Sequence, residues 1–152
     1  MLRISRRAEY GIIATQFMAR EFERLVSVKE ISDSMDLSFD FLSKTLQALL
    51  KTGIVVSQKG VRGGYKLARN PEKISLYDII DSLEDKKAIV ECLEPKGDSC
   101  EKAKICTIKT PLYNLQSKID KIFSDTSIAE IAKETKQSGS CENEIIKVNY
   151  AR

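Results

Sequence analysis

Histidine is absent from this 152-residue chain. That removes imidazole acid–base catalysis, imidazole pH sensing and any histidine metal ligand at once. Also missing are a Ser/His/Asp set, a C-x-x-C pair and a phosphate-binding P-loop, so an enzyme, for instance a thiol oxidoreductase, has little to work with. No run of about 18 apolar residues occurs, and no membrane-spanning helix is expected. The opening MLRISRRAEY is charged and lacks an apolar stretch with a cleavage site, so no secretory leader is expected. Internal repeats and low-complexity tracts are missing too. The expectation is a cytoplasmic chain whose four cysteines are thiols or metal ligands rather than disulfides.

What is present is the ordinary apolar and charged content of a globular domain, or of one domain with an appendage. Charge is unevenly spread. Residues 1–70 hold twelve Lys/Arg against seven Asp/Glu, and residues 71–152 hold thirteen against fifteen. A basic first half beside an acidic second half points the first half at a polyanion.

Residues 5–23 read as a helix whose apolar face is Tyr10, Ile13, Ala14, Phe17 and Met18. Ser27-Val28-Lys29-Glu30 is a capping box flanked by the staple pair Val26 and Ile31, predicting a short helix from Val28 to Ser34. After a turn at Asp36-Leu37, Ser38 caps a helix from Phe39 to about Thr52, with Phe39, Leu42, Leu46, Leu49 and Leu50 as its buried stripe and Gly53 as its stop. Two helices joined by a short turn form a helix-turn-helix pattern. A β-branched run from Ile54, a glycine-rich tip from Gln58 to Gly64, and Tyr65-Lys66-Leu67 predict a β-hairpin, hence a wing. In such a module the first turn of the second helix meets the major groove. The candidate DNA contacts are Ser38, Asp40, Ser43, Lys44 and Gln47, with Lys59 and Arg62 at the wing tip, where glycines would let the backbone approach phosphate or a narrow minor groove. Ser38 serves as a cap and as a base contact only if its amide, not its hydroxyl, meets DNA.

Asn70-Pro71 breaks the chain, and Ser75 with Asp78 boxes a helix over Leu76, Ile79, Ile80 and Leu83. Thr110-Pro111 restarts a helix with proline at its first position. Leu112, Leu115, Ile119 and Ile122 follow at spacings of 3, 4 and 3, the seam of a coiled coil and a candidate dimer contact. Ser127 caps a last short helix. The expected fold is mainly α with a small β-hairpin. It comprises a winged helix-turn-helix DNA-binding domain over 1–84, a cysteine loop over 85–109, a long dimerisation helix and short helix over 110–135, and a loose tail over 136–152.

Cys92, Cys100 and Cys106 are spaced C-x7-C-x5-C in the stretch ECLEPKGDSCEKAKIC. A structural zinc site needs four ligands, usually in close pairs. Three thiols on a loop with Lys96, Lys102 and Lys104 nearby suit an iron–sulfur cluster, but the recurrent cluster motifs have other spacings, and spacing alone favours reactive or free thiols. Cys141 lies outside the motif as a spare thiol.

The opening SRRAEYGIIA, the segment EISDSMDLSFDFLSKTLQALLKTGIVVSQKGVRGGYKLA with its G-x-x-G-G-Y wing, and the three cysteines together resemble the IscR/NsrR/RirA (Rrf-type) family of bacterial winged-helix regulators, over roughly residues 1–135. The resemblance implies a homodimer on double-stranded, pseudo-palindromic operator DNA, with a cluster on the three cysteines setting affinity. A 4Fe–4S cluster is the first choice and 2Fe–2S the second. One form of the family places a histidine three residues after the last cysteine, where this chain has Lys109. Another takes a carboxylate near the start of the first helix of the other subunit, a position matched by Glu9. The nitric-oxide- and iron-sensing branches are therefore the more similar ones. A winged-helix regulator sensing through thiol oxidation, with no cluster, is the alternative.

Overall fold

The computed structural model describes residues 4–85, 87–94, 100 and 105–134. The expectations for Lys96, Lys102, Lys104, Cys141 and the tail lie outside these residues.

Helix α1 (Arg6–Arg20) starts where the Ser5 hydroxyl accepts the N–H of Ala8 at 3.2 Å, satisfying one of the orphan donors of a helix start. It stops at Arg20 rather than 23, because the next residues turn and Glu23 takes a left-handed φ of 73°. Its deepest line is Ala8, Gly11, Ala14, Thr15 and Met18, while Tyr10, Ile13 and Phe17 are half-buried. The contact face is therefore turned toward its small residues. A Cβ on Gly11 would sit 2.3 Å from the Leu83 side chain.

Helix α2 (Val28–Met35) is capped by the Ser27 hydroxyl, which accepts the Glu30 N–H at 3.1 Å. Only half of the expected box forms, since the Glu30 carboxylate turns to the Arg24 guanidinium at 2.5 Å. Val26 and Ile31, the staple pair, are fully buried. Helix α3 (Phe39–Lys51) buries Leu42, Thr45, Leu46 and Leu49. Phe39 and Leu50, expected in that stripe, are exposed instead. They lie off the side of the helix that faces the core, and apolar character alone does not show which side a residue takes. Gly53 follows with a φ of 74°, as a helix stop requires.

Strands β1 (Val55–Gln58) and β2 (Gly64–Leu67) pair antiparallel, Val55 opposite Leu67 and Gln58 opposite Gly64. Val26 adds a bridge on the far side of β2, exchanging backbone hydrogen bonds of 2.8 Å with Tyr65 in both directions. The α1–α2 connection thus anchors the wing. Gly64 permits this approach, because a Cβ there would lie 2.6 Å from the Val26 carbonyl oxygen.

After a 3-10 turn at Pro71–Lys73, helix α4 (Leu76–Leu83) carries the full Ser75/Asp78 capping box. Helix α5 (Lys109–Asp125) begins before Thr110, which puts Pro111 at the third helical position instead of the first. The substitution of proline for an N–H donor is still harmless, since the first turn's N–H groups have no intrahelical partner. Helix α6 (Ile128–Glu134) is capped reciprocally by Ser127 and Glu130. It packs on α1, with the Gln16 side-chain amide donating to the Ile131 carbonyl at 3.0 Å. Ile128 joins the same apolar cluster as Met18, Leu46 and Ile79.

Candidate nucleic-acid interface and cysteine segment

The outward side of α3 follows from the helical period. Asp40, Lys44 and Gln47 recur at i, i+4 and i+7 opposite Leu42 and Leu46, and all three are exposed. Lys51 continues the same line and was not picked out from the sequence. Ser43 sits on the flank, half-buried. Ser38 occupies the N-cap position, but its side chain makes no cap hydrogen bond. Its backbone N–H instead donates to the Tyr10 hydroxyl at 3.2 Å. The Ser38 amide is therefore engaged by Tyr10, and its hydroxyl is not used as a cap.

Tyr10 does more than fill α1's face. Its ring meets Phe41 edge-on, with centroids 4.8 Å apart and planes at 79°. An aromatic contact and a hydrogen bond from one residue therefore fix the start of α3 against α1. No local pattern marks this, since the partners are some 30 residues apart in sequence.

At the wing the Gly63 N–H donates to the Gly60 carbonyl at 2.9 Å. This tight turn presents Lys59, Val61 and Arg62, all exposed. A Cβ on Gly63 would lie 2.3 Å from the Gln58 carbonyl oxygen. Gly63 and Gly64 are thus required by the hairpin and its Val26 neighbour, before any approach to DNA is considered. Among the described residues, Lys44, Lys51, Lys59 and Arg62 form no ion pairs. Arg24 is different: it is shared between Glu30 and Glu21. Hydrogen bonding to Arg24 holds the Glu30 carboxyl below its ordinary value.

The cysteine segment runs between α4 and α5. Cys92 lies half-buried in a 3-10 turn (Glu91–Leu93), Cys106 is half-buried just ahead of α5, and Cys100 is exposed; all three are free thiols. Among the described residues no group of three or more His, Cys, Asp or Glu side chains is placed to hold a metal ion. Glu9 is exposed in the first turn of α1. The stretch leading into Cys92 is firmly tied. One oxygen of Glu94 accepts the N–H groups of Lys87 and Ala88 at 2.8 and 2.7 Å. The Gln116 side-chain oxygen, on α5, accepts the Ile89 N–H at 2.8 Å, and its amide nitrogen donates to Asp120 at 2.8 Å. Gln116 and Glu94 were invisible in the motif, because neither is a cysteine neighbour of chemical interest by type.

Helix α5 buries none of its residues. Leu112 and Ile119 are half-buried, whereas Leu115 and Ile122 are 46% and 62% exposed. Ile108, exposed as well, extends the series one step toward the N-terminus. No described helix is long and apolar enough to cross a membrane.

The family model for Rrf2, described as an iron-dependent transcriptional regulator, matches residues 4–134. An HTH-type transcriptional regulator of Aquifex aeolicus is 35% identical over 123 residues, covering 80% of this chain and 85% of the relative. The structure of CymR, the global cysteine regulator of B. subtilis, superimposes with a TM-score of 0.72 at 29% identity, covering 88% of this chain and 98% of that one. T. potens IscR does so with a TM-score of 0.72 at 26% identity, covering 93% and 94%. The resemblance drawn from the wing and cysteine motifs is borne out, as is the winged helix-turn-helix fold. The reading as a regulator rather than an enzyme follows from the same matches. With its wing, its recognition helix and a family match spanning nearly all described residues, the chain belongs to the Rrf2 family of DNA-binding transcriptional regulators.

Proposed function

We propose that this regulator acts as a homodimer on a pseudo-palindromic operator, and that an iron–sulfur cluster at Cys92, Cys100 and Cys106 sets its DNA affinity. The observation carrying the reading is the tie from the backbone ahead of Cys92 to Gln116 on α5. It joins the cysteine segment to the helix whose Leu115 and Ile122 stand open for a second copy. A change at the cysteines is thereby felt at the dimer seam, and half-site spacing makes DNA affinity sensitive to the seam. Three free thiols and no histidine suit a thiolate-bound cluster chemically. Cys92, Cys100 and Cys106 are not gathered into a ready metal site, so holding the cluster requires the three thiols to converge, with one further donor from outside the segment. Exposed Glu9 of the partner subunit is the proposed carboxylate, and 4Fe–4S is preferred over 2Fe–2S. When bound, the cluster supplies sensitivity to nitric oxide, iron supply or redox state.

The lack of a ready metal site among the described residues favours a second reading, in which the same thiols sense by oxidation without a cluster. Anaerobic purification separates the two. Visible absorbance with stoichiometric iron and sulfide is the expected result for the cluster. A colourless protein whose DNA affinity still changes on thiol oxidation supports the second reading. Glu9→Ala with unchanged cluster absorbance and stability would remove Glu9 from the ligand set.

A further inference from the structure

Phe39 was expected in the buried stripe of α3, yet half of its surface is exposed while Leu42, Leu46 and Leu49 on the same helix are fully buried. It is the first residue of the recognition helix. Phe41, on the opposite flank, has a ring partner in Tyr10. Phe39 has none among the described residues. Its neighbours on this turn are the polar Ser38, Asp40 and Ser43, together with Leu42, which is turned into the core. A large aromatic group left in water at the end of a helix that enters a DNA groove contributes little to folding.

We infer that Phe39 is a specificity-determining residue that packs on the C5-methyl group of thymine in the major groove. The inference rests on the DNA-binding reading and goes beyond the polar contacts already assigned. The thymine methyl is the one apolar feature on the floor of that groove, and aromatic or methyl-bearing side chains are its natural partners. Ser38 and Asp40, on either side in sequence, offer hydrogen bonds to base edges. Phe39 between them offers none, and so reads shape and methylation at C5 rather than donors and acceptors. The position at the helix start matches the part of a recognition helix that reaches base edges.

The test uses the full-length protein. A duplex is selected by the protein from a random 30-base-pair pool, and each thymine in the selected half-site is replaced in turn by deoxyuridine, which removes only the methyl. For the unaltered protein, one replacement per half-site should weaken binding about fourfold, the worth of one buried methyl. Phe39→Ala, which alters both protomers of the proposed dimer, should bind the thymine duplex about sixteenfold more weakly and lose sensitivity to that replacement, and Phe39→Leu should restore part of it. Because Phe39 is exposed, the variants fold, which thermal melting checks. Tolerance of every deoxyuridine within twofold by the unaltered protein overturns the inference. So does retained methyl sensitivity in Phe39→Ala, or a change of oligomeric state with methyl sensitivity intact, which would place Phe39 against a second copy. Failure of the pool to enrich at all would instead strike the DNA-binding reading itself.

Discussion

The hydroxyl of Tyr10, on the first helix, accepts the backbone N–H of Ser38 at the start of the recognition helix, at 3.2 Å. This bond ties the first turn of the recognition helix, the turn proposed to meet DNA, to the first helix. Removing it in Tyr10→Phe should cost about 1 kcal/mol of stability, the net value of one hydrogen bond. The ring contact with Phe41 stays. DNA affinity should fall further than that, by about tenfold, because the reading turn loses its fixed start. Urea unfolding and fluorescence anisotropy on a bound duplex measure the two. Equal losses in both would reduce Tyr10 to a stability role.

Gly64 and Gly11 make a matched pair. A Cβ at Gly64 meets backbone, the Val26 carbonyl oxygen at 2.6 Å, whereas a Cβ at Gly11 meets the end of a flexible side chain, Leu83. Backbone cannot yield without breaking the Val26–Tyr65 bridge. Gly64→Ala should therefore destabilise by about 2–3 kcal/mol, and Gly11→Ala by about 1–2 kcal/mol, within the range for overpacked sites. The urea midpoints should fall in that order with unchanged m-values.

These contacts show what could be read from the chain and what could not. Ser27, Ser75 and Ser127 were legible as caps because an N-cap bond closes within three residues, and the hairpin was legible from strand, glycine tip and strand. Phe39 and Leu50 were misplaced because an apolar residue at the edge of a stripe is compatible with either side. The Val26–Tyr65 bridge, the Tyr10–Ser38 bond and the Gln116–Ile89 bond join residues far apart in sequence, and no local pattern encodes them. Asp40, Lys44 and Gln47 lie on the exposed side of the recognition helix as its period requires, while Ser43 is half-buried on its flank. The cysteines, by contrast, were a spacing on paper, and spacing says nothing about whether three sulfurs meet in space.

Acidification probes the Arg24–Glu30 pair. The Glu30 carboxyl is held below its ordinary value of 4.5, chiefly by its hydrogen bond from Arg24. A depressed carboxyl stabilises the fold above its unfolded value and loses that contribution as pH falls through the folded value. Both side chains are well exposed, so the effect is screened and amounts to less than about 1 kcal/mol. Glu30→Gln should be slightly less stable than the parent at pH 7, and the difference should shrink as pH falls below 4.5 and vanish once pH is below the depressed folded value. Thermal melts of both proteins across that range give the comparison; a gap that widens on acidification contradicts it.

The open face of α5 makes a prediction about assembly. Leu115 and Ile122 lie two helical turns apart and are largely exposed. Ile122→Glu should turn the proposed dimer into a monomer at micromolar concentration, since a charge at a coiled-coil seam is desolvated without a partner. The helical signal in circular dichroism should persist, because α5 buries none of its residues within the chain. Sedimentation equilibrium decides it, and a variant that remains dimeric places the interface elsewhere.

Gln116 is the remaining link, because its two ends face different elements. Its oxygen holds the Ile89 N–H, and its nitrogen is oriented by Asp120 one turn further along α5. Gln116→Leu keeps the bulk and the helix but removes the acceptor, leaving the backbone ahead of Cys92 with one fewer anchor. If the cysteine segment signals through α5, this variant should bind DNA within about twofold of the parent in the reduced, anaerobic protein. Its affinity should then change much less than the parent's on cluster loss or thiol oxidation. The Glu94 bonds to Lys87 and Ala88 remain, so the segment stays folded and the loss is one of coupling. Paired anisotropy titrations before and after oxidation give the ratio. A ratio equal to the parent's would show that the signal reaches the DNA-binding face by another route, the first helix and Tyr10 being the next to test.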